Sequence, residues 1–200
     1  MSLFFLPGAA GGAAFWHPVG EKLAQGRPHH FFSWPGLGIE PPEPGIASLD
    51  DLVRRVLAKL DEHSGPADLV AQSMGGLVAV KAALAAPKKV RRLVLAVTSA
   101  GVPMPGAQDW RPLYRDLFPK AGDWIADPQP DLSQRLKTLK APTLLLWGDQ
   151  DPISPVSVGE TLRALLPASS LHIIEGGGHD LAITHAYEVA ALIASHLFSL

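Results

Sequence analysis

The sequence predicts a single α/β domain, a parallel sheet with helices on both faces. Two patterns predict it. Short apolar runs of strand length recur at 2–6, 29–33, 67–72, 91–98, 142–147 and 170–174. Helical patterns lie between them, at about 15–25, 48–63, 74–86, 154–166 and 181–198. Strands separated by helices return through crossovers rather than hairpins, and so lie parallel. A length of 200 residues suits one domain large enough to bury most of its surface.

Taken in order, the first run, Leu3-Phe4-Phe5-Leu6, stops at Pro7, and no Lys or Arg precedes Lys22. A secretory signal needs a basic start and a longer apolar stretch, so this run is expected to be a buried strand. The helix at 48–63 is the clearest. Leu49, Leu52, Val53, Val56, Leu57 and Leu60 form one apolar stripe, Ser48 is placed to cap it, and Asp50 and Asp51 suit its first turn. The run 67–72 leads directly into Ser73. The segment 102–140 breaks the alternation: it is Pro-rich and carries Trp110, Tyr114, Leu117, Phe118 and Trp124. Long insertions of this kind serve as lids or binding loops. Its aromatic surface exceeds what a plain loop exposes, which predicts a lid whose Trp110, Tyr114, Phe118 and Trp124 wall an apolar substrate pocket. The bland alternative is that these rings cover the helix after Ser73.

Composition narrows the chemistry. Hydrophobic residues make up 47% of the chain and charged ones 18%, which describes a folded globular protein. A net charge of −2, with both signs mixed along the chain, predicts no nucleic-acid partner and no basic membrane-binding face. No uninterrupted apolar stretch approaches 18 residues, and the expectation is a cytoplasmic protein with no membrane span. The absence of cysteine excludes thiol catalysis, disulfides and Cys-based zinc sites. No histidine pair shows i, i+4 spacing beside an acid, so neither a metal nor any other cofactor is expected.

Three residue types stand out, each just after an apolar run: Ser73, then Asp149 or Asp151, then His179. A serine hydroxyl is a poor nucleophile unless an imidazole takes its proton and a carboxylate orients that imidazole. Ser73 sits in Ala71-Gln72-Ser73-Met74-Gly75, where a strand meets a helix. Small residues two positions to either side allow the tight turn that exposes such a serine, although a bare helix cap is the plainer reading. Gly176-Gly177-Gly178 precedes His179 and can carry its ring from strand to helix over the sheet edge, with Asp180 as the cap of the last helix. Gly8-Ala9-Ala10-Gly11-Gly12 is a Gly-rich turn, but it has neither the spacing nor the lysine of a phosphate cradle.

These motifs together resemble the α/β-hydrolase fold. The landmarks, in order, are Leu6-Pro7-Gly8-Ala9, Trp34-Pro35-Gly36-Leu37-Gly38, the turn at Ser73, and Gly148-x-x-Asp151 followed by His179. The resemblance covers nearly the whole chain except 102–140. It implies six parallel strands in the order 2-1-3-4-5-6, the family's first two strands having no counterpart. It implies Ser73 as nucleophile, His179 as general base and Asp151, matched by Gly148 and Pro155, as the orienting acid. It further implies an oxyanion hole from the backbone N–H groups of Ala9 and Met74, and Trp16 packed near the substrate. Two departures could alter the pocket. Pro7 stands where the family usually has His, and Ser33 where it often has Asp. The implied activity is hydrolysis of a carboxylic ester or thioester with an apolar acyl part. The same triad in this family also cleaves C–C bonds, amides or proline peptides, and a non-catalytic ligand-binding receptor is the rival from another class.

Overall fold

Six strands form one parallel sheet in the order 2-1-3-4-5-6, the order the resemblance implies. The computed structural model describes residues 1–23, 26–104 and 111–198. The strands are β1 (Leu3–Leu6), β2 (His29–Phe31), β3 (Ala67–Gln72), β4 (Val90–Ala96), β5 (Thr143–Gly148) and β6 (Ser169–Ile174). The helices among the described residues are α1 (His17–Gly20), α2 (Leu49–Asp61), α3 (Met74–Ala85), α4 (Tyr114–Leu117), α5 (Ser133–Leu136), α6 (Val156–Leu165), α7 (Leu181–Thr184) and α8 (Ala186–Phe198). Short 3-10 turns cover Ala13–Trp16, Arg111–Leu113 and Asp123–Ala126.

The strand sequences explain their places. β1, β3 and β5 are buried at every residue, as continuous apolar strands covered on both faces should be. β2 is half-buried and β6 alternates between covered and exposed residues, which suits the two edges. The chain steps one way from β1 to β2, then the other way from β3 to β6. Right-handed crossovers therefore put α1 on one face and α2, α3 and α6 on the other. Packing agrees: α2 lies on α3, while α1 packs against α7 and α8. The reversal leaves a crevice between the C-terminal ends of β1 and β3, the usual ligand position in open α/β sheets.

Local physics settles the helices. The Ser48 side chain accepts a hydrogen bond from the Asp51 N–H at 3.2 Å, and the Asp51 carboxylate accepts from the Ser48 hydroxyl at 2.7 Å. That is the cap expected for α2. The helix predicted at 15–25 is shorter, a 3-10 turn followed by the four residues of α1. Gly20 ends it where any Cβ would meet the Phe31 ring at 2.6 Å. The predicted last helix divides at His185, whose φ of −120° and ψ of 33° leave the helical region.

The opposite, N-terminal edge of the sheet carries an ion-pair cluster. Asp68 is fully buried and accepts from Arg91 Nε at 2.8 Å and Arg27 at 2.5 Å. Arg91 also donates to the Leu197 carbonyl at 2.9 Å, which fastens the end of α8 to the sheet. The hydrogen bond and charge of Asp68 push the Arg91 pKa up.

Candidate active site

Ser73 stands at the junction of β3 and α3 with φ of 53° and ψ of −124°. Positive φ is costly for a residue with a side chain, so the surroundings must hold it. Two contacts grip the Ser73 carbonyl: the Gly76 N–H at 2.9 Å and the Thr98 hydroxyl at 2.6 Å. The Ser73 N–H meanwhile donates to the Ala96 carbonyl at 3.0 Å. Gly75 is obligatory, because a Cβ there would lie 2.4 Å from the Pro7 carbonyl oxygen and 2.6 Å from that of Leu6. Ala71, in the place where a glycine is common, fits while fully buried.

The loops after β5 and β6 meet through a carboxylate and an imidazole. His179 Nδ1 lies 2.7 Å from Asp151 Oδ2. The other oxygen of Asp151 accepts from the N–H groups of Ile153 at 2.8 Å and Ser154 at 3.0 Å. Every bond to this carboxylate is a donated proton, so it acts as an acceptor and fixes the Nδ1–H tautomer of His179. Nε2 is then left with its lone pair, as a base requires. The Asp151 side chain is fully buried, whereas that of His179 is 24% exposed. Trp147 donates its indole N–H to the Ser154 carbonyl at 2.9 Å and steadies the acid loop. Asp149 makes a different contact: it accepts from the Gly176 N–H at 2.7 Å, at the foot of the loop that carries His179.

The loop after β1 is held from below by two tryptophans. Trp16 donates to the Leu6 carbonyl at 3.1 Å and Trp34 to the Pro7 carbonyl at 2.7 Å. Trp16, expected near the substrate, is fully buried, packs on Phe5 and Phe15, and supports the loop. Ser33, where the family often has Asp, accepts from the Ala13 N–H at 2.9 Å and closes the far end of the same loop. Among the described residues, no hydrogen bond engages the N–H of Ala9 or Met74, so both donors remain available.

Sequence reasoning passed over Gln72. It is buried at 4% exposure and uses both ends of its amide. Its oxygen accepts from the Gly8 N–H at 2.9 Å and its nitrogen donates to the His179 carbonyl at 3.1 Å. The main chain of His179 therefore lies beside the residue that precedes Ser73.

The insertion after β4 leaves the sheet through three tight positions. Val97 and Ala100 have positive φ, as does Gly101. The segment returns to its root where the Leu132 N–H donates to the Gly101 carbonyl at 2.8 Å. Between these points it reaches the loop after β2, where a Cβ on Gly36 would lie 2.8 Å from the Lys120 carbonyl oxygen. The insertion thus joins the ends of β4 and β2, and the ends of β3 and β1 lie between. Trp124 is buried and Phe118 is half-buried against the core. The Tyr114 hydroxyl donates to Asp123 at 2.7 Å, so its polar end is already taken. Trp110 lies outside the described residues. Farther on, Thr138–Ala141 share a small cavity with Ala83 and Leu84 at the end of α3.

Among the described residues, no three His, Asp or Glu side chains group as metal ligands, and no helix is long and apolar enough to cross a membrane. The family model of the alpha/beta hydrolase family matches residues 3–192. The chain belongs to the α/β-hydrolase family. This hydrolase is 30% identical to a 2-hydroxy-6-oxononadienedioate/2-hydroxy-6-oxononatrienedioate hydrolase of Pseudomonas putida, over 96% of its own length and 84% of that enzyme. The alignment runs over 240 residues, more than the 200 of this hydrolase, so the relative carries residues within the match that are absent here. A pimeloyl-[acyl-carrier protein] methyl ester esterase of Aliivibrio salmonicida is 25% identical over 88% of this hydrolase and 84% of the esterase. Among solved structures, the meta-cleavage product hydrolase CumD of Pseudomonas fluorescens superposes with a TM-score of 0.81 at 19% identity, covering 98% of this chain and 90% of that one. A thermophilic esterase from Thermogutta terrifontis gives 0.81 at 21% identity, covering 96% and 88%.

Proposed function

We propose that this hydrolase cleaves a carboxylic ester or thioester with an apolar acyl part through an acyl-enzyme on Ser73. The observation that carries the reading is the Asp151–His179 hydrogen bond of 2.7 Å, on a loop whose His179 carbonyl is held by Gln72, the residue before a serine kept at φ 53°. His179 takes the Ser73 proton through Nε2, and Asp151 stabilises the imidazolium that forms. Ser73 attacks the carbonyl carbon, and the N–H groups of Ala9 and Met74 receive the negative oxygen. The leaving alcohol or thiol takes the proton back from His179. Water then attacks the acyl-enzyme with His179 again as base, and the acid and free Ser73 result.

The insertion from about 102 to 140 serves as a short lid over this crevice, with Phe118 and Trp124 on its apolar side. Its course from the end of β4 to the end of β2 supports that role. A second reading, hydrolysis of a C–C bond beside a ketone, is favoured by the 30% identity to the Pseudomonas putida enzyme. Neither reaction calls on a metal or cofactor.

The test is a fluorophosphonate followed by mapping of the adduct, together with turnover of short-chain esters, thioesters and a vinylogous 1,5-diketone. Labelling of Ser73, with ester or thioester turnover abolished by Ser73→Ala, is the expected result. Labelling elsewhere defeats the nucleophile assignment, and turnover of the diketone alone selects the second reading.

A further inference from the structure

We infer that Gln72 is a positioning residue that clamps the oxyanion loop and the histidine loop to the nucleophile turn. This rests on the proposed roles of Ser73 and His179. The argument begins from topology. His179 follows β6, and β6 lies three places from β3 in the sheet. At about 4.8 Å per strand the histidine loop must reach back roughly 14 Å to serve Ser73. The bond from Asp151 holds the His179 ring, but Asp151 itself sits on the loop after β5 and fixes only the far side of that reach. On the Ser73 side the described hold on His179 is the Gln72 amide, whose nitrogen donates to the His179 carbonyl at 3.1 Å.

The other end of the same amide fixes the opposite wall. Gln72 Oε1 accepts from the Gly8 N–H at 2.9 Å. A Cβ on Gly8 would lie 2.4 Å from that oxygen and 2.9 Å from the Ser73 Cβ, so the loop is pressed against the nucleophile turn. Gly8 precedes Ala9, whose amide is the proposed oxyanion donor. One planar side chain, bound at both ends of its amide and adjacent in sequence to Ser73, thereby sets the separation between oxyanion donor, nucleophile and base. Geometry of this kind is worth most in the transition state, where small misplacements are expensive.

Two variants separate the ends of the clamp. Gln72→Leu keeps the volume and loses both hydrogen bonds. Its kcat should fall about 10- to 100-fold, the combined worth of two such bonds, with KM nearly unchanged. Exhaustive fluorophosphonate labelling at Ser73 should still reach every molecule, only more slowly. Gln72→Glu keeps the acceptor for Gly8, but when ionised it has no proton to give the His179 carbonyl. Its activity relative to the parent enzyme should therefore rise as pH falls and the acid regains its proton. A parental kcat in Gln72→Leu, or a Gln72→Glu ratio constant across pH, overturns the clamp. If Gln72→Leu does not fold, the Gln72→Glu ratio decides alone. If the parent enzyme is not labelled at Ser73, the functional reading fails. Normal labelling rates in both variants defeat the clamp alone.

Discussion

Two carboxylates only two positions apart take different partners because the chain offers them different donors. Asp151 is buried and surrounded by three donors: the His179 ring and two backbone amides. Asp149 is exposed and, among the described residues, meets the Gly176 N–H. Asp151→Asn would turn a donor toward His179 and favour the wrong tautomer. It should lower kcat by roughly three to four orders of magnitude, as in other triads. Asp149→Asn keeps a carbonyl oxygen for Gly176 and should stay within a few-fold of the parent. A larger loss at Asp149, measured as kcat on one ester, would reverse the assignment. Spacing to Gly148 and Pro155 pointed to Asp151 in the sequence, and Asp151 is the acid that meets the His179 ring. The partners of Gln72 were not legible, because they lie 64 and 107 residues away and leave no spacing to detect. The contacts of Trp16 were not legible for a related reason. Its nearness to the loop after β1 is real, but sequence does not say which way a ring faces, and here its indole N–H is committed to Leu6.

Among elements, strands and long helices were legible because each repeats its period enough times to be recognised. α2 does so over 13 residues with its cap residue in place. The pieces from Ala13 to Gly20 do not, since neither completes a second turn. The split at His185 also escaped, because the apolar pattern continues through it with Ala186, Val189 and Ala190 buried. The insertion was visible only as an interruption, and its short turns have no period at all. Its contact at Gly36 shows where it goes, and the consequence can be measured. Phe118 is half-buried and is the cleaner probe. Trp124 is 7% exposed, so Trp124→Ala also carries a cavity cost of about 3–5 kcal/mol. Phe118→Ala should lower kcat/KM more for long acyl chains than for acetyl, by about 1–3 kcal/mol of lost pocket contact. Equal losses along the acyl series, with thermal stability held, would make the segment a structural cover.

At the scale of the whole molecule, the sheet divides its labour between two edges. The C-terminal edge holds the strained serine, available amides and loops pinned by side chains. The N-terminal edge holds the Asp68 cluster and the fastening of α8. Stability should follow pH through groups outside the proposed triad. Burial lowers the pKa of His29, with the Arg27 charge adding to it. Burial likewise lowers His30, aided by neighbouring His63, and lowers His196, aided by Arg92. In the unfolded chain each returns to about 6.5. Between the folded and unfolded values the unfolded chain binds more protons, so stability rises with pH across that window. The contribution is complete above about pH 6.5 and is lost as pH falls below it. Carboxylates such as Asp51, whose pKa is lowered by the Ser48 hydroxyl and the Ala47 amide, add their own loss only below about pH 4. The midpoint of thermal unfolding should therefore drop between pH 7 and 5.5, above the range where Asp51 contributes. His30→Gln, which removes one of the three histidines, should flatten that slope. A midpoint unchanged or rising over the same interval would mean that these histidines titrate alike in the folded and unfolded chain.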